Sequence, residues 1–378
     1  MLYTVPDYYD QFECIAGECE DTCCAGWQIV IDKESLQRYR KENSKYCKKL
    51  HHSIDWKQKT FRQDVEKRCA FLKDDNLCEM YQKLGEKSLC KTCQSYPRHT
   101  EEFENVREIS LSLSCPVAAR LILGKKDSVR FQSVERDGEE EFAGFDPFLY
   151  SNLLDAREII FEILQDRNLS IETRTVLSLG LAYDMENRVR SGNLFSCDTV
   201  FRNYKKQIYL PATGRKVSKL FINMQNRYKF NKVLFEDLWK LELLRGDWEM
   251  QLAESQYYLF AKGVKEYGDL IRRFKWWMQE ESEEEWAVIA EQLMVYYVFT
   301  YFCGAVYDER IFVNLQMAAA CTEIIWNLLA ARWMKNGEIL DMEDIVEITY
   351  RFSRELEHSD DNLKKLWRLL EKQRELFK

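Results

Sequence analysis

Histidine is scarce in this chain, with only His51, His52, His99 and His358 in 378 residues, so a mixed cysteine–histidine metal site has little material. No G-x-G-x-x-G follows a strand-like run, which removes the usual nucleotide loop of Rossmann-type methyltransferases. The C-x3-C-x2-C triplet of radical enzymes is missing as well, because Cys19-x3-Cys23 runs directly into Cys24. Proline occurs five times, and Pro211 alone lies beyond Pro147, so long helices are permitted. The opening Met1–Asp7 carries neither a basic patch nor an apolar stretch, so no secretory signal is read and a cytoplasmic location is expected. Leu293 to Tyr307, the longest charge-free apolar run, is shorter than the roughly 20 residues a bilayer requires, and Glu323 interrupts the next. Both read as buried helices, and no membrane is expected. A net charge of -8 and a pI near 5.4 disfavour a nucleic-acid partner. The small basic group of Lys205, Lys206, Arg215, Lys216 and Lys219 reads as a solvated face.

What is abundant is cysteine, and its placement is uneven. Ten of thirteen fall between Cys14 and Cys115, while only Cys197, Cys303 and Cys321 lie beyond. In a reducing compartment clustered thiols point to metal binding or catalysis rather than to disulfides. The first group is Cys14-x4-Cys19-x3-Cys23-Cys24. Cys69, Cys78, Cys90 and Cys93 form the second, and Cys115 follows. These nine are the candidate metal ligands, enough for one or two centres. Zinc ribbons supply two C-x2-C pairs, whereas Cys90-Lys91-Thr92-Cys93 is the single pair here. Soft thiolates and the Cys115-Pro116 ending favour a [4Fe–4S] cluster, with zinc as the alternative. Cys47 reads as a surface or half-buried thiol, and the three late cysteines as small hydrophobes.

With these residues in view, the chain resembles the flagellin lysine-N-methylase family, itself similar to a wider group of cysteine-rich zinc- or iron-chelating proteins. The matching stretches are Cys19-Glu20-Asp21-Thr22-Cys23-Cys24-Ala25-Gly26-Trp27, Cys69-Ala70-Phe71-Leu72, Leu77-Cys78-Glu79-Met80-Tyr81 and Leu84-Gly85-Glu86. They continue through Leu89-Cys90-Lys91-Thr92-Cys93-Gln94-Ser95-Tyr96-Pro97-Arg98 to Glu108-Ile109-Ser110-Leu111-Ser112-Leu113-Ser114-Cys115-Pro116. The likeness is firm over about the first 120 residues and looser afterwards. It implies methyl transfer from S-adenosylmethionine to lysine ε-amines of flagellin or another surface protein, by an enzyme holding an iron–sulfur cluster. An open iron could then chelate the amino and carboxylate groups of adenosylmethionine.

Lysine methylation needs a neutral amine. Deprotonating an ordinary lysine near pH 7 costs about 4–5 kcal/mol, so aromatic walls and a nearby carboxylate or tyrosine would help. Tyr96, Arg98 and Glu108 are the catalytic candidates, and Trp27, Arg98 and Ser112 the candidates for cofactor contact. Arg98 could hold a carboxylate by its fork or serve in a plain surface ion pair. Asp21, Trp27, Glu108, Ser110 and Ser112 flank the expected ligands and could support them by hydrogen bonds.

The fold expected is mainly α: a cysteine-rich metal-binding region with at most a small β-hairpin, then a helical domain. Leu149, Leu153, Ala156, Ile160 and Leu164 recur with helical period. So do Leu363, Leu366, Trp367, Leu370 and Phe377, behind a cap at Ser359 or Asp360. Extended pieces are expected at Gln28–Ile31 and Phe103–Leu113. The division read from composition is 1–123 for the metal-binding domain, 124–147 for a charged linker that includes Glu139, Glu140 and Glu141, and 148–378 for a helical, substrate-binding domain. The aromatic stretch from Phe274 to Phe302 reads as core, with a substrate cleft as the alternative. Two other functions compete with methyl transfer: a non-catalytic iron–sulfur or zinc protein, and a redox or metal sensor using Cys23 and Cys24.

Overall fold

Four short strands build a mixed sheet in the computed structural model, which describes residues 1–138, 144–215 and 223–376, the side chains of 374–376 excepted. Glu139–Glu141, Lys216, Lys219 and Phe377 therefore lie outside the described residues. The expected extended piece is a hairpin of β4 (Arg98–Phe103) and β5 (Val106–Leu111). Beside it β1 (Leu2–Pro6) runs parallel to β5, with Leu2 opposite Val106. β6 (Phe131–Glu135) closes the sheet antiparallel to β1. The sheet thus exceeds the hairpin that the sequence suggested. The partners of β1 lie more than a hundred residues away, and β6, inside the segment 124–147, shows solvent most of its side chains and lacks an apolar run. Gln28–Ile31 makes only an isolated bridge, Val30 to Thr60, instead of a strand.

Between β1 and β4 the chain folds into short elements: α1 (Lys33–Lys41), α2 (Cys47–His52), a two-stranded ribbon of β2 (Ile54–Asp55) and β3 (Thr60–Phe61), α3 (Glu79–Leu84) and α4 (Lys91–Ser95). They enclose a small core of their own, with Leu50, Ile54, Phe61, Phe71, Met80 and the thiol-bearing Cys69 and Cys90 buried together. Leu111, Leu113, Cys115 and α5 (Pro116–Leu123) belong to a second, much larger core.

That larger core is helical. α6 (Pro147–Leu164) starts where Asp146 accepts from the Phe148 and Leu149 amides and Pro147 occupies the first turn, where its missing N–H does no harm. Its periodic positions Leu149, Leu153, Ala156, Ile160 and Leu164 are all buried, as the spacing predicts. α7 (Ile171–Arg190) and α8 (Cys197–Lys205) follow. The helix Ile311–Lys335 is central, with α7 and the helices Met224–Leu238, Gly246–Phe260, Val264–Glu280, Trp286–Tyr301, Met342–Glu357 and Asp360–Leu376 packed around it. The last of these is capped by Ser359, which accepts from the Asn362 amide. Trp286–Val306 and Ile311–Lys335 are long and apolar enough to cross a bilayer, yet 89% and 78% of their most apolar windows are buried within the protein, as in core helices. Of the aromatic stretch, Phe274, Tyr296, Tyr297, Phe299, Tyr301 and Phe302 are core residues. Trp286 and Trp326 border a separate cavity of about 580 Å³.

Candidate functional site

Backbone pairing draws the cysteine segments together. The Cys69 amide donates to Cys24 O at 2.8 Å and the Gly26 amide to Lys67 O at 3.0 Å, setting Cys23 and Cys24 beside Cys69. Leu72 bridges to Cys78. On the next side, Asp32 accepts from the Ser35 and Lys91 amides, both at 2.9 Å, and Thr92 Oγ1 donates to Val30 O at 2.8 Å. Those bonds fix α4, with Cys90 and Cys93, against the segment that follows Trp27. Burial works against the Asp32 charge, but the Lys91 and Ser35 amides outweigh it and hold its carboxyl down to about 2. A carboxylate held low stabilises the fold above its unfolded value near 3.8 and loses that contribution as pH falls through about 2. Denaturation midpoints between pH 2 and 5 are therefore expected to fall less steeply for Asp32→Ala than for the parent chain. Parallel curves would show that Asp32 does not anchor this corner.

Eight thiols lie close enough for the charge of one to act on the next: Cys19, Cys23, Cys24, Cys69, Cys78, Cys90, Cys93 and Cys115. Cys78, Cys90 and Cys115 each stand immediately before a short helix. There the amides of Met80 and Tyr81, of Thr92 and Cys93, and of Val117 and Ala118 favour the thiolate. Against this, burial pushes Cys69 up to about 12 and Cys115 up to about 11. Hydrogen bonding with Cys24, then burial, raises Cys23. In the Cys90–Cys93 pair the shared hydrogen bond lowers Cys90 and raises Cys93. All thirteen cysteines are free thiols in this structure. Cys14 is exposed, unlike those eight. Cys47 is half-buried at the start of α2, and Cys197, Cys303 and Cys321 are buried.

The donor chemistry fits a thiophilic metal. Crowded thiolates disfavour one another, and a cation among them removes that cost. Among the described residues, no three His, Cys, Asp or Glu side chains stand grouped at metal-ligand spacing. The thiols are thus a converged set rather than a closed coordination shell.

Beside the thiols is a wall of rings and hydroxyls. His358 stacks on Trp27 with ring centroids 4.4 Å apart and meets Tyr96 edge-on at 5.6 Å. Trp27 Nε1 donates to Cys23 O at 2.8 Å. Ser114 Oγ is the junction, 3.1 Å from the Tyr96 hydroxyl, 3.0 Å from His358 Nε2 and 2.6 Å from Ser112 Oγ. Ser112 in turn donates to Glu357, which also accepts from the Tyr296 hydroxyl at 2.8 Å. Burial raises the Glu357 carboxyl. Burial and the neighbouring Arg354 charge hold the His358 ring down to about 3, so it is neutral at physiological pH.

Three candidates from the sequence, Trp27, Tyr96 and Ser112, thus meet in one network. Asp21 is also at the site, paired with Arg354 and Arg245, each at 2.6 Å. Arg98 joins no ion pair among the described residues. Its Nε donates to the Tyr9 hydroxyl at 3.1 Å and its guanidinium lies over the Tyr9 and Phe12 rings. Glu108 is engaged elsewhere, in a buried two-point pair with Arg157 of α6. Ser110 is buried, and its hydroxyl has no hydrogen-bond partner among the described residues. Arg245, Arg354, Glu357 and His358 were not anticipated, and Tyr296 only as part of the aromatic stretch, because nothing local to residues 245–358 signals a partner near residue 20 or 114. The one available clue was that His358 is among only four histidines.

A cleft of about 700 Å³ adjoins the cysteine turn, walled by Thr22, Ala25 and Gly26 on one side and by Lys67, Arg245 and Asp247 on the other. Gly26 has φ +90°, and an added Cβ would come within 3.1 Å of the Arg245 side chain, so glycine suits both the backbone and the close approach. Behind this wall Glu355 accepts from the Leu244 and Arg245 amides at 2.6 and 3.0 Å. Burial pushes it up to about 7 despite those bonds.

Residues 157–378 match the model of the FliB lysine N-methylase C-terminal domain. The looser half of the sequence resemblance is therefore itself covered by a family match. A protein described as Lysine-N-methylase from Salmonella typhimurium is 31% identical over 137 residues, 34% of this chain and 34% of that protein, and one from Salmonella choleraesuis matches equally. The Flagellar biosynthetic protein FliU of Salmonella muenchen is 31% identical over 140 residues, 34% of this chain and 81% of that protein. The match spans about a third of the length of the two lysine-N-methylases. No solved structure matches the chain. With more than half its length matched, the chain belongs to the FliB lysine N-methylase family.

Proposed function

We propose that this protein is a cytoplasmic methyltransferase that moves a methyl group from S-adenosylmethionine to lysine ε-amines of flagellin or another surface protein, and that its thiols hold a [4Fe–4S] cluster. The observation that supports this reading is the nearness of eight free thiols, drawn from both cores, to one another and to the turn that walls a cleft of about 700 Å³, in a member of this family. Cavities of several hundred Å³ suit small cofactors. Cys19, Cys23, Cys24, Cys69, Cys78, Cys90, Cys93 and Cys115 are the residues from which the ligands would come, with zinc as the alternative metal. When bound, the cluster supplies an open iron able to chelate the amino and carboxylate groups of adenosylmethionine. Arg98, which joins no ion pair among the described residues, is the residue that would hold a carboxylate.

In the transfer, the lysine nitrogen lone pair bonds to the methyl carbon while the carbon–sulfur bond breaks and its electrons stay on sulfur. The amine must first lose a proton. Tyr96 and the neutral His358 are partly exposed members of the network, and the buried Ser114 links them through Ser112 to Glu357, the carboxylate that would receive the proton. Trp27 and Tyr96 offer aromatic surface that shields the amine from water.

Purified protein, incubated with flagellin and adenosylmethionine labelled in its methyl group, is expected to label lysine. Metal-loaded protein that leaves flagellin unlabelled would overturn catalysis and favour the non-catalytic metal-binding reading.

A further inference from the structure

We infer that Arg354 is a positioning residue by which the C-terminal helical part sets the cysteine centre, clamping the Asp21–Thr22 turn to the Ser114–Cys115 corner. The inference rests on reading the thiols as a metal site. Arg354 lies on the helix Met342–Glu357 and is only 2% exposed. Its Nε donates to Ser114 O at 2.8 Å, Nη2 to Asp21 O at 2.7 Å and Nη1 to Thr22 O at 3.4 Å, while Nη1 also pairs with Asp21 Oδ1 at 2.6 Å. Thr22 and Ser114 immediately precede Cys23 and Cys115 in the chain.

The location explains why a clamp is needed. Cys69 and Cys90 belong to the small core and Cys115 to the large one, so the thiol set straddles a seam between two separately packed bodies of side chains. Across that seam, Arg354 is a rigid, planar, multiply donating group that fixes two backbone segments at one separation. The carboxylate of Asp21 extends the tie. It also accepts from Arg245 at 2.6 Å, Arg245 pairs with Asp247 at 3.1 Å, and Arg351 of the same helix reaches Asp247 at 3.1 Å. Cleft wall, cysteine turn and C-terminal helix are thereby one charged lattice.

A lysine would keep the charge but lose the fork, and a methionine would lose both, which provides a graded test in the full-length chain. Metal-free, reduced Arg354→Met is expected to exchange the amides of residues 19–25 and 113–117 at least tenfold faster than the parent, with the helix Ile311–Lys335 unchanged, and Arg354→Lys to fall between. Titrated with Co²⁺, whose sulfur-to-metal absorption reports thiolate ligands, Arg354→Met is expected to bind at least tenfold more weakly than the parent, and Arg354→Lys again between. Unchanged exchange at both segments would overturn the inference. So would faster exchange throughout the molecule in both variants, which marks a general fold support, or Co²⁺ affinity and absorption equal to the parent. Should the parent take up no Co²⁺, the metal reading falls while the exchange comparison still judges the clamp.

Discussion

Glu108→Ala is expected to lower the free energy of unfolding by about 3–5 kcal/mol, the usual consequence of stripping one partner from a buried ion pair. Glu108 is 3% exposed and its partner Arg157 7%. Arg157 Nη1 donates to one Glu108 oxygen at 2.5 Å and Nη2 to the other, and the guanidinium lies over Phe161 and Phe299. Without Glu108 that guanidinium is left charged in the core, with β5 no longer tied to α6. Replacing both partners, as in Glu108→Leu with Arg157→Met, is expected to recover most of the loss, because two apolar groups of similar size remove the uncompensated charge. Urea unfolding midpoints of the three chains decide it. A Glu108→Ala protein as stable as the parent but unable to methylate would restore Glu108 to the catalytic role that its place beside the cysteines suggested.

Cys23→Ser and Cys93→Ser are each expected to lose nine-tenths or more of the bound metal and, with it, lysine methylation. Cys14→Ala is expected to retain both, because Cys14 is exposed, unlike the other eight. Cys197→Ala is also expected to keep the metal, with a stability change of about 1 kcal/mol from the small void in the helical core. Elemental analysis of the four proteins after anaerobic purification makes the comparison. Full metal in both serine variants would remove these two cysteines from the ligand set.

The physical range of each signal explains what could be read without coordinates. Helical period is local, so Leu149 through Leu164 and the cap at Ser359 were legible. Short cysteine spacings are local as well, and they marked Cys14 through Cys115 as a group. The pairing of β1 with β5 and β6 left no such trace: β6 is an exposed edge strand whose polar residues resemble a linker. Arg354 and His358 reach segments hundreds of residues earlier, and a guanidinium bonded to backbone carbonyls makes no demand on the side chains it meets. Glu108 was misplaced for the same reason, since its neighbours in sequence gave no hint of Arg157. Arg98 carried two readings, and the structure gives a third arrangement, stacked on Tyr9 and Phe12.

The account stands or falls on whether the gathered thiols hold a metal. Iron, zinc and acid-labile sulfide measured per chain in anaerobically purified protein, together with the count of thiols open to alkylation before and after a chelator, test this directly. The account predicts iron with matching sulfide, or else zinc, and thiols among Cys19 to Cys115 that become reactive only once the metal is removed. Metal-free protein whose eight thiols react at the same rate with and without chelator would contradict it.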